Sequence, residues 1–373
     1  VNIPQFDLTR QYQAIEAEVE AAVRRVLRGG RFILGAEGEA LEAEFAAAVG
    51  VGHAVAVGSG TDALRLVLGA VGVRPGDEVI TPAFSFVASA TTVLHLGAHP
   101  VFVDVDPATL AIDPGRVAAA ITSRTRAIVA VHLYGLPAAM PALGALARQH
   151  GLALVEDAAQ AFGATLDGRA VGGFGAAAAF SFYPTKPLGA CGDAGLVATR
   201  DDDLAAALRR HRNHGDAGKY DHVELGWNSR MDELQAAILR VKLRHAAAWT
   251  EARRRIAARY SGALAGLPLG LPHEPPGSRH VYHQYTLRTP RRDALAKHLA
   301  AAGIGTACHY PQPVPGQRVF RELGWEPTRF PAAWAASQQV LSLPCFPELT
   351  DAEVAAVIEA IHAYFEGDAG CEC

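Results

Sequence analysis

Lys186 lies in the run Ser-Phe-Tyr-Pro-Thr-Lys-Pro-Leu-Gly-Ala-Cys-Gly-Asp-Ala-Gly (181–195), directly after the apolar stretch 176–182. An amine between hydroxyl-bearing residues and a glycine-rich turn suits a lysine that must shed its proton and form a Schiff base with a carbonyl group. Read alone it is ambiguous, because most lysines are solvated surface charges. Asp157 closes the apolar run Leu-Ala-Leu-Val (152–155) and the residue after it, where a buried parallel strand would deliver a carboxylate to the carboxyl edge of a sheet. The same Asp-Ala-Ala-Gln segment (157–160) also fits a helix cap of the Asp-x-x-Gln kind.

A third element is Gly-Ser-Gly-Thr-Asp-Ala-Leu (58–64), which follows the strand-like 54–57 and opens an amphipathic pattern through Leu64, Leu68 and Val71. Small residues there let backbone N–H groups and the positive end of a helix face an anion, a phosphate site in form. It is neither a Walker loop nor the dinucleotide fingerprint, whose third glycine is missing. Ser-Gly-Thr is also simply a good helix cap. Phe84 or Phe86 could lie against a flat ring, or belong to the core. An amine, a carboxylate for a ring nitrogen, a phosphate cradle and a ring surface are together what pyridoxal 5'-phosphate requires of its protein.

Those residues need a scaffold. Strand-like runs alternate with helical patterns from about 51 to 197, the mark of a doubly wound sheet. Val79-Ile80, Val101 to Val103 and Ala127 to Val131 read as strands, the last followed by His132, which reads as a satisfied structural residue. Two amphipathic helices precede the sheet, through Ile15, Val19, Val23 and Val26 and through Leu41, Phe45 and Val49. A long helix is expected from Met231 towards Tyr260, and the proline- and glycine-rich segment 267–278 interrupts the pattern. Beyond it the sequence predicts a strand over 281–288, a helix over 293–302, a strand over 304–309 and a last helix over 351–365. The expected organisation is α/β, with a large doubly wound mixed-sheet domain over 1–245 and a smaller C-terminal α+β domain over 246–373.

Bulk properties restrict the reading. The chain has 373 residues, 50% of them in the hydrophobic class, enough for a large core and a smaller one. A net charge of −4 gives no reason to expect nucleic acid or an anionic membrane as partner. The first residues lack a basic stretch followed by an apolar one, and no apolar run is long enough to span a bilayer, so a cytoplasmic setting is expected. Five scattered cysteines do not make a disulfide framework. Cys371 and Cys373 lack a second ligand pair, so a tail rather than a metal site is expected there, and no metal is expected elsewhere.

Four segments carry a resemblance that covers nearly the whole chain: Ser-Gly-Thr-Asp-Ala-Leu (59–64), Glu-Asp-Ala-Ala-Gln-Ala-Phe-Gly-Ala (156–164), Ser-Phe-Tyr-Pro-Thr-Lys-Pro-Leu-Gly (181–189) and Gly-Trp-Asn-Ser-Arg-Met-Asp-Glu-Leu-Gln-Ala-Ala-Ile-Leu (226–239). Together with His-Tyr-Pro (309–311) and Leu-Pro-Cys-Phe-Pro (343–347), the sequence resembles the DegT/DnrJ/EryC1/StrS sugar aminotransferases, which have the fold type I aminotransferase plan. The resemblance implies that Lys186 carries the Schiff base, Asp157 binds the pyridine nitrogen and Gln160 hydrogen-bonds the ring hydroxyl. Gly60, Thr61 and Ser181 would hold the phosphate, with Phe86 against the ring. Asn228 would complete the phosphate site of a partner subunit, making the active unit a homodimer with shared sites.

The implied reaction takes an amino group from glutamate, leaves it on the cofactor as pyridoxamine 5'-phosphate, and delivers it to a keto sugar linked to a nucleotide. The wording of 228–243 is similar to enzymes acting on 3-keto sugars, favouring a dTDP-3-keto-6-deoxyhexose, with UDP-linked 3-keto or 4-keto sugars as alternatives. Tyr183, His309 and Tyr310 are the expected hydroxyl and diphosphate contacts, although the last two also fit strand packing. One departure is Gly-Asp-Ala-Gly (192–195), where relatives commonly have a glycine in place of Ala194. Pyridoxamine-dependent dehydratases of this fold replace the lysine with histidine. A non-catalytic regulatory protein is the rival of another class, and a nicotinamide dehydrogenase lacks its fingerprint here.

Overall fold

The computed structural model describes residues 2–369, so Cys371 and Cys373 lie outside the described residues. Helix α1 (Leu8–Gly29) starts where Asp7 accepts hydrogen bonds from the N–H groups of Thr9 and Arg10, and it ends at Gly30 with φ of +67°. Helix α2 (Ala36–Val49) follows, and its first turn donates N–H groups to the buried carboxylate of Glu233.

The sheet is built from β1 (His53–Val57), β2 (Glu78–Pro82), β3 (His99–Val103), β4 (Thr125–Val131), β5 (Ala153–Asp157), β6 (Ala177–Ser181) and β7 (Gly195–Thr199). Its order is β1-β7-β6-β5-β4-β2-β3, with β7 antiparallel to both neighbours and the other pairs parallel. Alternation along the strands separates two faces. Val55, Val129, Val155, Ala179 and Val197 pack with Leu64, Val67 and Leu68 of α3 (Gly60–Ala70). Ala56, Phe180 and Leu196 pack on the opposite face against Leu41 and Phe45 of α2, while Ile80, Ile128 and Leu154 meet Met140 and Leu143. Both faces are therefore covered, as a largely parallel sheet requires.

Helix α4 (Glu233–Ala263) joins two cores. Ile238 and Val241 pack against Ile15 and Val19, whereas Ile256 and Tyr260 enter a separate core with Tyr285, Leu299, Leu343 and Phe346. That second core is closed by β8 (Tyr285–Arg288) paired antiparallel to β9 (Val340–Leu343), by α5 (Arg292–Ala301) and by α6 (Asp351–Ala369).

Two sequence expectations are corrected. The alternation over 281–288 forms a strand only from Tyr285. Val281, Tyr282 and His283 are all buried, because Val281 donates its N–H to the Gly135 carbonyl and this segment crosses the main sheet's loops instead of pairing in a ladder. No strand forms over 304–309 either. Ile304 makes a single bridge to Ile3 and Ala307 one to Ser342, so this piece touches two different partners.

Candidate active site

The carboxyl ends of β4, β5 and β6 open onto one cavity of about 520 Å³. Val131 and Asp157 are register partners on adjacent strands, as are Asp157 and Ala179, so period-two alternation brings Val131, Asp157 and Ser181 to the same sheet face. Glu156, pointing the other way, is a different kind of carboxylate. It is fully buried and accepts from the N–H groups of Gly172, Phe174 and Gly175 and from His132. His132 in turn accepts the Ala138 N–H at Nδ1, so its proton sits on Nε2 and both nitrogens are used structurally.

Asp157 does not cap a helix. It ends β5, accepts one N–H from Ala159 at 3.2 Å, and stands at the cavity wall. Burial pushes its carboxyl above the ordinary value, opposed by the Ala159 hydrogen bond and by the positive charge of Lys186. Lys186 lies on a turn after β6, its N–H donating to the Tyr183 carbonyl, and is half-buried in the same wall. Burial lowers its amine to about 8, against the pull of Asp157. An amine and a carboxylate that burial pushes toward their neutral forms face a single cavity.

Ser59 caps α3 by accepting the Asp62 N–H, and Ala63 donates to the Ser59 carbonyl. The cap and the cradle are compatible, because Gly60 and Thr61 line the cavity at the start of that helix. Gly60 packs directly on β6, and a Cβ there would lie 2.5 Å from the Ser181 Cβ. Gln160 is pinned at both ends, accepting the Tyr134 N–H at 2.6 Å and donating to the Tyr310 hydroxyl at 3.1 Å. Phe86 is half-exposed at the wall, 6.0 Å from Tyr310 between ring centroids, whereas Phe84 is wholly buried in the core. Tyr134 donates its hydroxyl hydrogen to the His309 carbonyl, tying the two halves of the wall together. His309 uses Nδ1 on the Ser342 hydroxyl at 2.9 Å, and its imidazole is lowered to about 4 by burial and by Lys186.

The structure thus brings Gly60, Thr61, Phe86, Asp157, Gln160, Ser181, Tyr183, Lys186, His309 and Tyr310 to one cavity. It does not bring Asn228 there. That residue is exposed on a loop, bridged to Asn213, while its neighbour Ser229 accepts the Gly58 N–H. Sequence reasoning missed His283 and Gln284, which line the same wall. The signal was available, since two polar residues interrupt the apolar stretch 281–287, but the strand reading absorbed them.

A mostly parallel sheet with a cavity-facing lysine, a buried aspartate and a glycine-started helix at its carboxyl edge defines a fold type I aminotransferase. The chain belongs to the DegT/DnrJ/EryC1/StrS aminotransferase family, whose profile matches residues 13–362. It is 48% identical to the dTDP-3-amino-3,4,6-trideoxy-alpha-D-glucose transaminase of Streptomyces venezuelae, over 98% of this chain and 96% of the relative. It is 47% identical to the UDP-N-acetyl-3-dehydro-alpha-D-glucosamine 3-aminotransferase of Acidithiobacillus ferrooxidans, over 98% of each. A protein of Geobacillus stearothermophilus described as a pleiotropic regulatory protein is 48% identical over 98% of this chain and 99% of its own. The crystal structure of Streptomyces venezuelae DesV in complex with a ketimine intermediate superposes with a TM-score of 0.96 at 48% identity, covering 98% of this chain and 99% of that one.

Proposed function

We propose that this chain is a pyridoxal phosphate-dependent aminotransferase that takes an amino group from glutamate and delivers it to a dTDP-3-keto-6-deoxyhexose. The observation that carries the reading is the pair Lys186 and Asp157 on one cavity wall, the amine brought near neutral pH and the carboxylate held without any arginine or lysine of its own except Lys186. Asp157 has one protein hydrogen bond and room for a further, cationic partner, which the cofactor's ring nitrogen matches. The free first-turn donors of α3 beside Ser181 match its phosphate.

When bound, the cofactor supplies a carbonyl for the lysine and a ring that withdraws electrons from the reacting carbon. Lys186 then carries a proton between two carbons as a base and later an acid, for which an amine near 8 is suited. Gln160, fixed at both ends, has a second amide hydrogen for the ring hydroxyl, and Phe86 covers a ring face. Tyr183, His309 and Tyr310 bind the sugar hydroxyls and diphosphate, and the neutral imidazole of His309 does so without adding charge beside Lys186.

The active unit in this proposal is a homodimer. Among the described residues lining the cavity, Lys186 alone is a lysine or arginine, although a diphosphate and a dicarboxylate must both bind. The loop before Asn228 exposes Tyr220 and Leu225, each at 92%, a surface that a second copy would cover. Asn228 then acts in the partner's site. The division at 245/246 belongs to the same proposal, supported by the separate core around Tyr260 and Phe346. A cytoplasmic setting goes with it, because a charged nucleotide-linked substrate does not cross a bilayer unaided.

Relatives of nearly equal identity carry dTDP- and UDP-linked sugars in their names, so a UDP-linked 3-keto or 4-keto sugar is the second reading. The regulatory reading requires no turnover, and it is disfavoured because Lys186, Asp157 and the start of α3 line one cavity. Turnover of dTDP- and UDP-linked 3-keto and 4-keto sugars with glutamate, read by product mass, tests the proposal. Amination of the dTDP-linked 3-keto sugar alone supports the first reading, and no product from any sugar supports the regulatory one.

A further inference from the structure

Tyr134 does not line the active-site cavity, yet three residues that do line it are hydrogen-bonded to it. Its N–H donates to the side-chain carbonyl of Gln160 at 2.6 Å, its own carbonyl accepts the Gln284 N–H at 3.4 Å, and its hydroxyl donates to the His309 carbonyl. The three partners come from separate stretches of chain: the turn after β5, the segment leading into β8, and the segment beyond α5.

The backbone at this corner is strained. Tyr134 has φ of +58°, a left-handed setting that a bulky aromatic residue seldom adopts, and Gly135 follows at +100°. Neighbours fix the corner on several sides: a Cβ on Gly135 would meet the Val281 side chain at 2.6 Å, the Gln160 carbonyl at 3.0 Å and the His283 backbone nitrogen at 3.2 Å. The phenol is 7% exposed, and burial pushes it well above its ordinary value, so the hydroxyl keeps its hydrogen and stays a donor. Core packing accounts for the ring. It does not account for a left-handed residue whose three polar groups are each spent on a cavity residue.

We infer that Tyr134 is a positioning residue for the sugar half of the reaction, its hydroxyl fixing the His309 and Tyr310 side of the cavity relative to Gln160 on the cofactor side. The inference rests on the aminotransferase reading proposed above. No covalent bond is made or broken at Tyr134. Its contacts are separable, because the N–H that holds Gln160 belongs to the backbone and survives exchange to phenylalanine, whereas the hydroxyl that holds His309 does not. His309 keeps a second tie, Nδ1 on the Ser342 hydroxyl at 2.9 Å, so loss of the first shifts the segment without releasing it.

The test uses the full chain with Tyr134→Phe, which removes only the hydroxyl, and Tyr134→Asn, which removes the ring but tolerates the left-handed backbone. In the holoenzyme, conversion of the bound cofactor by glutamate alone, followed by its absorbance, should keep its rate. KM for whichever nucleotide-linked keto sugar the unchanged protein aminates should rise about tenfold or more, with kcat less affected. In cofactor-free protein, hydrogen exchange read by mass spectrometry should quicken over residues 307–311 and stay unchanged over 157–162. A merely structural role would quicken exchange in both segments and slow both halves of the reaction alike. That result, an unchanged sugar KM, or unchanged exchange over 307–311, in whichever variant folds, overturns the inference. Failure of the unchanged protein to pass an amino group from glutamate to its cofactor overturns the functional reading instead, and the hydrogen-exchange measurement does not depend on it.

Discussion

Burial acts oppositely on the two residues that carry the site, raising the Asp157 carboxyl and lowering the Lys186 amine, while their mutual attraction opposes both shifts. Only a neutral amine attacks a carbonyl, so the rate at which cofactor-free protein captures pyridoxal phosphate should rise with pH up to about 8 and then level off. Borohydride added to the captured form should fix the cofactor on the Lys186 peptide, and mass mapping to any other lysine would defeat the assignment. For Asp157 the sign runs the other way. Its folded carboxyl holds a proton above the ordinary 3.8, so the stability tied to that proton is complete below 3.8 and is lost as pH climbs through the raised value. Asp157→Asn should therefore melt no lower than the unchanged protein when both lack cofactor at neutral pH. Its cofactor affinity should nevertheless fall by roughly 1.5 to 3 kcal/mol, the worth of a charge-assisted hydrogen bond, and turnover should fall with it. Near-normal turnover would leave Asp157 a structural residue.

The start of α3 sits so close to β6 that no side chain fits at Gly60, where a Cβ would meet the Ser181 Cβ at 2.5 Å and its hydroxyl at 3.0 Å. Gly60→Ala should push the helix start away from the strand, lowering stability by about 1 to 3 kcal/mol and weakening cofactor binding. Adding Ser181→Gly should restore part of the melting temperature, because the Cβ and hydroxyl contacts are gone and only the Ser181 Cα at 3.0 Å stays close, yet not the affinity, because the hydroxyl proposed to face the phosphate is gone as well. Additive losses in the double variant would show that the two residues do not press on one another. The elements of the main sheet were legible because their signals are local: apolar runs such as 127–131 and helix periods such as Ile15, Val19 and Val26. The candidate site residues on those elements were visible for the same reason, since Asp157 ends β5 and Lys186 lies in the turn that follows β6. Residues 281–284 and 304–309 were not, because their conformation is set by distant partners, Gly135 in one case and Ile3 and Ser342 in the other. His283 was hidden with them.

At the scale of the molecule, the shared-site proposal requires that two lesions on different chains complement each other. Lys186→Ala and Asn228→Asp, each inactive alone, should regain activity when mixed after reversible dissociation, since one site of a mixed dimer receives a native lysine from one chain and a native asparagine from the other. The aspartate variant is chosen because a carboxylate repels phosphate strongly where water is excluded. Mixed dimers without activity would exclude a site built from both chains. The cavity wall itself is also composite, with Asp157 and Lys186 from the main sheet facing His309 and Tyr310 from the segment beyond α4, joined by the contacts of Gln160 with Tyr310 and of Tyr134 with the His309 carbonyl. A ligand that touches both sides is therefore a rivet. By mass action, a nucleotide-linked sugar held by Tyr183 on one side and by His309 and Tyr310 on the other, at a hundred times its Kd, adds about 2.7 kcal/mol to whatever opening separates the two sides, so on the holoenzyme it should merge the melting of the two cores into one sharper transition.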